Sequence, residues 1–156
     1  MRKTIKIIFI ALAVFVMVAQ LVRPDLSNPP VNPNERLEAS VEVPSDVAAI
    51  LRRSCSDCHT NETVHPWYSK ITPVNWWLKS HFEHGREHLN LSTWAKYTPQ
   101  QKEKRLEEIC EVLESAEMPL PSYLWGHRDA MLTPEDSKLL CSWATSVRMS
   151  LNVVSQ

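Results

Sequence analysis

The stretch that decides the fold runs from Ser54 to Trp77: SCSDCHTNETVHPWYSKITPVNWW. It holds Cys-x-x-Cys-His at Cys55, Cys58 and His59, followed by a run rich in aromatic residues. Two thiols at that spacing can close a disulfide, hold a metal, or attach a porphyrin. A structural zinc site wants four ligands, normally a second Cys or His pair at similar spacing. Cys110 and Cys141 are instead isolated from each other, each on an apolar helical stripe. A thioredoxin-like redox pair wants a strand before it and a βαβ setting. Here the motif follows a helical pattern, and no stretch of the chain alternates with period two. A haem needs two thiols for the two vinyl groups on one porphyrin edge. It also needs a histidine directly after the second thiol to turn its imidazole onto the iron. Cys55, Cys58 and His59 meet that need, so the sequence predicts one covalent haem c.

The chain around the motif reads as helical. It has 156 residues, only 2 of them Gly, against 11 Pro and 6 Trp. Scarce glycine argues against hairpin-rich β folds, whose tight turns need positive φ. Proline punctuates the chain instead. In VPSDVAAILRRS (residues 43–54), Ser45 can cap a helix carrying Val47, Ile50 and Leu51 at helical spacing. In YTPQQKEKRLEEICEVLESAE (residues 97–117), Thr98 caps, Pro99 takes the first helical position and Gln101 completes a capping box. Thr133, Pro134 and Asp136 repeat that signal before a stripe of Leu139, Leu140, Trp143, Ala144 and Val147. Thr72 and Pro73 open a further helix over TPVNWWLKSHFEHGREHL. The fold class is therefore all-α, over residues 44–150. Such a domain is small, and a cofactor would supply part of its core.

Upstream, MRK precedes TIKIIFIALAVFVMVAQLV. Ile7 to Val22 is 16 residues, apolar except for Gln20. This predicts a single N-terminal transmembrane helix over residues 1–22, an uncleaved signal anchor. The rival readings are a cleaved signal and a buried core helix; VMVAQ offers no clean small-x-small cleavage site. Arg2, Lys3 and Lys6 keep the N-terminus in the cytoplasm. The expected location is thus a bacterial inner membrane, single-pass, with the helical domain in the periplasm. Residues 23–43, rich in Pro and Asn, read as an extended tether. Without the three leading cations the chain carries 14 basic and 18 acidic side chains, a net −4. No basic run suggests nucleic acid.

The iron's sixth position is open to several residues. Met118 in AEMPLPSY follows a helix and precedes Pro119, so a stiff loop could present its thioether. It lies 59 residues beyond His59, enough chain to reach the other haem face. Among His65, His81, His84, His88 and His127, His88 is the alternative ligand. His81, His84 and His88 share one helix face, which could equally be a solvated one. Trp67, Tyr68 and Trp77, with Trp76 and Trp94, could wall the pocket or belong to ordinary core. Cys110 and Cys141 could form a disulfide or be two small buried hydrophobes.

The runs Cys55–Trp77, GREHLNLSTW (residues 85–94), MPLPSY (residues 118–123) and LTPEDSKLLCSWA (residues 132–144) together resemble the small bacterial haem-binding domain family with a single CxxCH. The resemblance covers about Ser45 to Ala144. It implies covalent haem on Cys55 and Cys58, with His59 as proximal ligand. The order of parts is also similar to class I cytochromes c: a helix into CxxCH, a Met-Pro loop, a terminal helix with an aromatic. That similarity favours Met118 and points to Trp143 packing on the first domain helix, with Ala48 or Ala49 where those cytochromes often cross helices at Gly.

The function expected is haem binding and single-electron transfer by a membrane-anchored monohaem cytochrome, with haem, the inner membrane and an unidentified redox protein as partners. The alternative is a haem-based sensor or peroxidase-like enzyme whose sixth ligand exchanges. A third reading is a haem-bearing module that docks a redox partner through its Trp-rich surface.

Overall fold

The computed structural model describes residues 2–154, and every regular element among them is helical. In chain order the α-helices are α1 (Arg2–Ala19), α2 (Ser45–Ser54), α3 (Ser56–His59), α4 (Val74–His88), α5 (Pro99–Glu114), α6 (Pro121–Leu124) and α7 (Pro134–Val154). Short 3₁₀ turns at Pro33–Glu35, Leu37–Ala39, Trp67–Lys70, Leu91–Lys96 and Arg128–Ala130 connect them.

The two Thr-Pro starts form as their sequences dictate. At α5, the Thr98 side chain accepts from the Gln101 N–H, and the Gln101 side chain accepts from the Thr98 N–H. At α7, Thr133 and Asp136 make the same reciprocal pair, at 2.9 and 3.1 Å. The start of α2 differs from expectation. Ser45 is already helical and gives no cap bond; the fixed φ of Pro44 starts the helix, and Asp46 accepts from the Val47 N–H. Helix α4 likewise begins after Thr72 and Pro73, at Val74.

One core joins these elements. Leu51 and Val47 of α2, Leu106 of α5, Leu140 and Val147 of α7, and Trp94 of the turn Leu91–Lys96 are buried in a single cluster. Trp143 joins it and donates its indole N–H to the Glu42 carbonyl, so it serves as core on the α2 side. Helices α5 and α7 lie side by side and are tied by a Cys110–Cys141 disulfide with a Cα–Cα distance of 4.9 Å.

Residues 23–43 are laid along the domain. Leu37 is fully buried in the core. The Asn28 amide donates to the Thr63 carbonyl, and the Asn61 amide donates to that of Pro30. Arg36 and Lys96 pair with Glu62 and Glu35 respectively.

The predicted transmembrane helix is not found: among the described residues, no helix is long and apolar enough to cross a membrane. Met1, the first residue of that predicted segment, lies outside the described residues. Helix α1 has 18 residues, with Arg2, Lys3 and Lys6 in its first turns. The uncharged part, Ile7–Ala19, rises about 20 Å, against about 30 Å of bilayer hydrocarbon. The helix stops because Gln20 is taken by the domain. Its side chain donates to the Thr72 carbonyl at 2.7 Å and accepts from the Thr72 N–H at 3.1 Å. The Trp76 indole then donates to the Val22 carbonyl. The apolar side chains of α1 ahead of Ala19 remain exposed.

Candidate functional site

Helix α2 runs into α3 with Cys55 as the joint, capping one helix and opening the next. The Cys58 and His59 N–H groups both donate to the Cys55 carbonyl, at 3.2 and 2.9 Å. One turn of helix therefore sets Cys55, Cys58 and His59 side by side. All three line one cavity of about 580 Å³.

The imidazole of His59 is fixed from behind. Its Nδ1 lies 2.9 Å from the Gly85 carbonyl oxygen and 3.0 Å from that of Leu89. A carbonyl only accepts, so Nδ1 carries the proton and Nε2 keeps a bare lone pair. Burial lowers the His59 pKa and keeps the ring neutral, the state a metal ligand needs. The two thiols are pushed the other way. Burial raises Cys55 to about 12 and Cys58 to about 11, so both stay protonated at neutral pH. An attacking redox cysteine needs a lowered pKa, and this pair has the reverse.

Helix α4 reaches the motif because residue 85 has no side chain. A Cβ there would stand 2.6 Å from the Cys58 carbonyl oxygen and 3.1 Å from the Cys58 Cβ. The next residue, Arg86, donates to the Thr60 carbonyl, the Thr63 hydroxyl and the Asn28 side-chain oxygen, at 2.8, 2.8 and 3.0 Å. That fork pins the loop after the motif and the upstream segment to one helix.

The cavity is walled by α2 and α3 on one side, by His81, His84, Gly85 and His88 of α4, and by Ile109, Val112 and Leu113 of α5. Leu140 of α7, Tyr123 and the loop Met118–Leu120 complete it. Helix α5 ends in a Schellman motif: the Glu117 N–H donates to the Val112 carbonyl and the Ala116 N–H to that of Leu113. Ala116 takes the left-handed position, with φ 55°. The chain reverses there and delivers Met118 into the lining, two residues after the turn.

Met118 and His88 both line the cavity, on different walls. His88 sits on the helix that braces His59; Met118 sits on the closing loop. His81 and His84 also face it, with their Nδ1 atoms bonded back to the carbonyls of Trp77 and Ser80. Among the described residues, no group of three His, Cys, Asp or Glu could hold a metal ion. His65 packs edge-on to Phe82 with both ring nitrogens buried and unpartnered, and His127 stacks on Tyr123; neither lines the cavity.

The expected tryptophan walls lie elsewhere. Trp67, Tyr68 and Trp77 do not line the cavity. Trp67 is 76% exposed on a surface turn, with Tyr68 edge-on beside it. Trp77 lies tilted against His81, one turn before the lined part of α4. Trp76 holds Val22, and Trp94 is core. The apolar walls come from aliphatic residues of α5 and α7, because helical periodicity aims those stripes inward while the tryptophans fall on other faces.

Sequence reasoning missed Gly85, Arg86, Asp57 and Tyr123. A signal existed for the first. A glycine inside HFEHGREHL costs a helix about 1 kcal/mol, so a close approach is the physical reason to keep it.

The site fits a haem. It offers an apolar slot, two protonated thiols, a neutral imidazole with Nε2 free, and a thioether on another wall. A family model described as a haem-binding domain matches residues 14–146. Nothing matches the chain among curated proteins or among solved structures.

Proposed function

The chain belongs to the haem-binding domain family, and on that premise we propose that it is a monohaem c-type cytochrome that carries single electrons. One observation carries the reading: Cys55, Cys58 and His59 line the same cavity as Met118, which lies 59 residues beyond His59. Haem supplies the one-electron iron couple. The residues do the rest. Cys55 and Cys58 would hold the haem covalently, through thioether bonds to its two vinyl groups. His59 would offer Nε2 to the iron, oriented by the Gly85 and Leu89 carbonyls. Met118 would offer its thioether, and a methionine ligand raises the potential. Leu113, Val112 and Ile109 keep water from the iron.

The exposed apolar side chains of helix α1 support a place at a bacterial inner membrane, and covalent haem, which is attached outside the cytoplasm, supports the periplasmic side. A second reading, a sensor or peroxidase-like protein, is favoured by how lightly the Met118 loop is held.

The test is the optical spectrum of protein matured alongside cytochrome c assembly machinery. Haem should stay on the polypeptide through acid extraction and be lost from a Cys55→Ala, Cys58→Ala double variant. The ferric protein should show the weak long-wavelength methionine-to-iron band, and Met118→Ala should abolish it. Persistence of that band in Met118→Ala refutes the ligand. A colourless, folded wild type refutes the cofactor.

A further inference from the structure

Among the described residues, one long-range hydrogen bond ties the loop that carries Met118 to the rest of the molecule. Hydrogen bonds made by residues 115–127 stay within the neighbouring chain, such as Met118 N–H to the Val112 carbonyl and Leu124 N–H to that of Leu120. The exception is Tyr123. Its hydroxyl donates to Asp57 Oδ2 at 2.7 Å, across 66 residues of sequence. Asp57 is one of the two residues between Cys55 and Cys58, so this bond joins the closing loop directly to the turn that bears the thiols.

Both ends are prepared. Asp57 Oδ1 accepts from the Val64 N–H at 3.0 Å, and the Asp57 carbonyl accepts from the Thr63 hydroxyl at 2.6 Å. Thr63 is held in turn by Arg86. The carboxylate therefore cannot swing with the loop. At the other end, the Tyr123 ring lies flat on His127, with centroids 4.1 Å apart and planes 11° from parallel. Burial, and then the bond to Asp57, push the Tyr123 pKa up, so the phenol keeps its proton and remains a donor.

We infer that the Tyr123–Asp57 bond is a latch: it holds the loop closed over the cavity and so sets how readily an outside molecule reaches the position Met118 occupies. Tyr123 is a positioning residue, acting through the loop. The inference rests on the proposed reading only for the identity of the residue it holds at the iron; closure of the loop is a property of the chain.

The test uses the holoprotein. Tyr123→Phe keeps the ring and its stacking and removes one oxygen. Peptide-resolved hydrogen exchange should rise about tenfold across residues 115–124 and stay unchanged across residues 55–64. The rate at which imidazole binds the ferric iron, measured per haem, should rise by a similar factor. In an Asp57→Ala background, Tyr123→Phe should add nothing further. Unchanged exchange across residues 115–124, or a Tyr123→Phe effect that survives in Asp57→Ala, overturns the latch. Met118→Ala separates the two claims. If it leaves imidazole binding at the wild-type rate while Tyr123→Phe still loosens the loop, the latch stands and the ligand assignment falls. If Met118→Ala opens the site and Tyr123→Phe leaves the loop protected, the latch falls alone.

Discussion

On the wall formed by α3 and α4, His59 meets two backbone carbonyls, Cys58 abuts a glycine, and Arg86 bonds to three residues in two separate segments. On the wall formed by residues 115–124, the chain turns through a left-handed alanine and is tied across the molecule by one hydrogen bond. The first wall is over-determined; the second is held at a hinge and a clasp. A six-coordinate iron between them would have one permanent ligand and one conditional ligand. The fold holds the first wall through many bonds and the second through few.

The chain's two glycines offer the sharpest way to break this contrast. At Gly85, an added Cβ meets the Cys58 backbone oxygen at 2.6 Å, and backbone on both sides has nowhere to retreat. Gly85→Ala should cost about 3 kcal/mol and displace His59, since the Gly85 carbonyl moves with the helix. At Gly126, on the lighter side, an added Cβ meets the end of the Tyr68 side chain, nearest its hydroxyl at 3.2 Å. Gly126→Ala should cost under about 1 kcal/mol. Denaturant midpoints of the two holoproteins, with haem content, check the pair. Equal costs would erase the distinction between the walls.

The next prediction has the opposite sign. Ala116 holds φ 55°, where a Cβ costs about 1–2 kcal/mol, while glycine adds freedom to the unfolded chain. Ala116→Gly should therefore raise stability by about 0.5–1 kcal/mol, read from the thermal midpoint. Its spectrum should match wild type, because the Schellman turn that aims Met118 is retained. A fall in stability would mean that the loop is not strained there.

Much of the rigid wall was legible beforehand. Cys55, Cys58 and His59 are adjacent in the chain, and one helical turn brings them together whatever surrounds them. The starts of α5 and α7 were legible because a Thr cap, a Pro and a Gln or Asp act within four residues. Met118 could be proposed because Pro119 marks a loop, yet only the fold puts it in the same cavity. What stayed hidden was long-range. Asn28 and Leu37 sit in a Pro- and Asn-rich stretch whose composition resembles a spacer, and only their partners Thr63 and Arg86, or the core, reveal them as structure. Trp67, Tyr68 and Trp77 misled because residue type tells size and polarity, not which face of a turn or helix looks into the cavity. Gln20 halts α1 through a partner 52 residues away, which no local hydropathy pattern contains.

The smallest effect sharpens the comparison by testing what the rigid wall does not depend on. Arg53, at the end of α2, pairs with Asp136 at the start of α7, in a part-buried position at the surface. The Asp136 pKa is lowered from its ordinary 3.8, first by the Thr133 N–H, then by the Thr133 hydroxyl and Arg53. A depressed carboxylate contributes stability above its unfolded-state pKa and loses it as pH falls through 3.8 toward the folded value. Solvent screens the pair, so the loss should stay below about 1 kcal/mol. The difference in thermal midpoint between wild type and Asp136→Asn should be small at pH 7 and vanish near pH 2. If the wall at His59 drew its order from such ion pairs, mild acid would free the histidine before it unfolded the chain. Backbone carbonyls and a missing Cβ do not titrate, so the His59 ligation spectrum should persist until the whole domain melts.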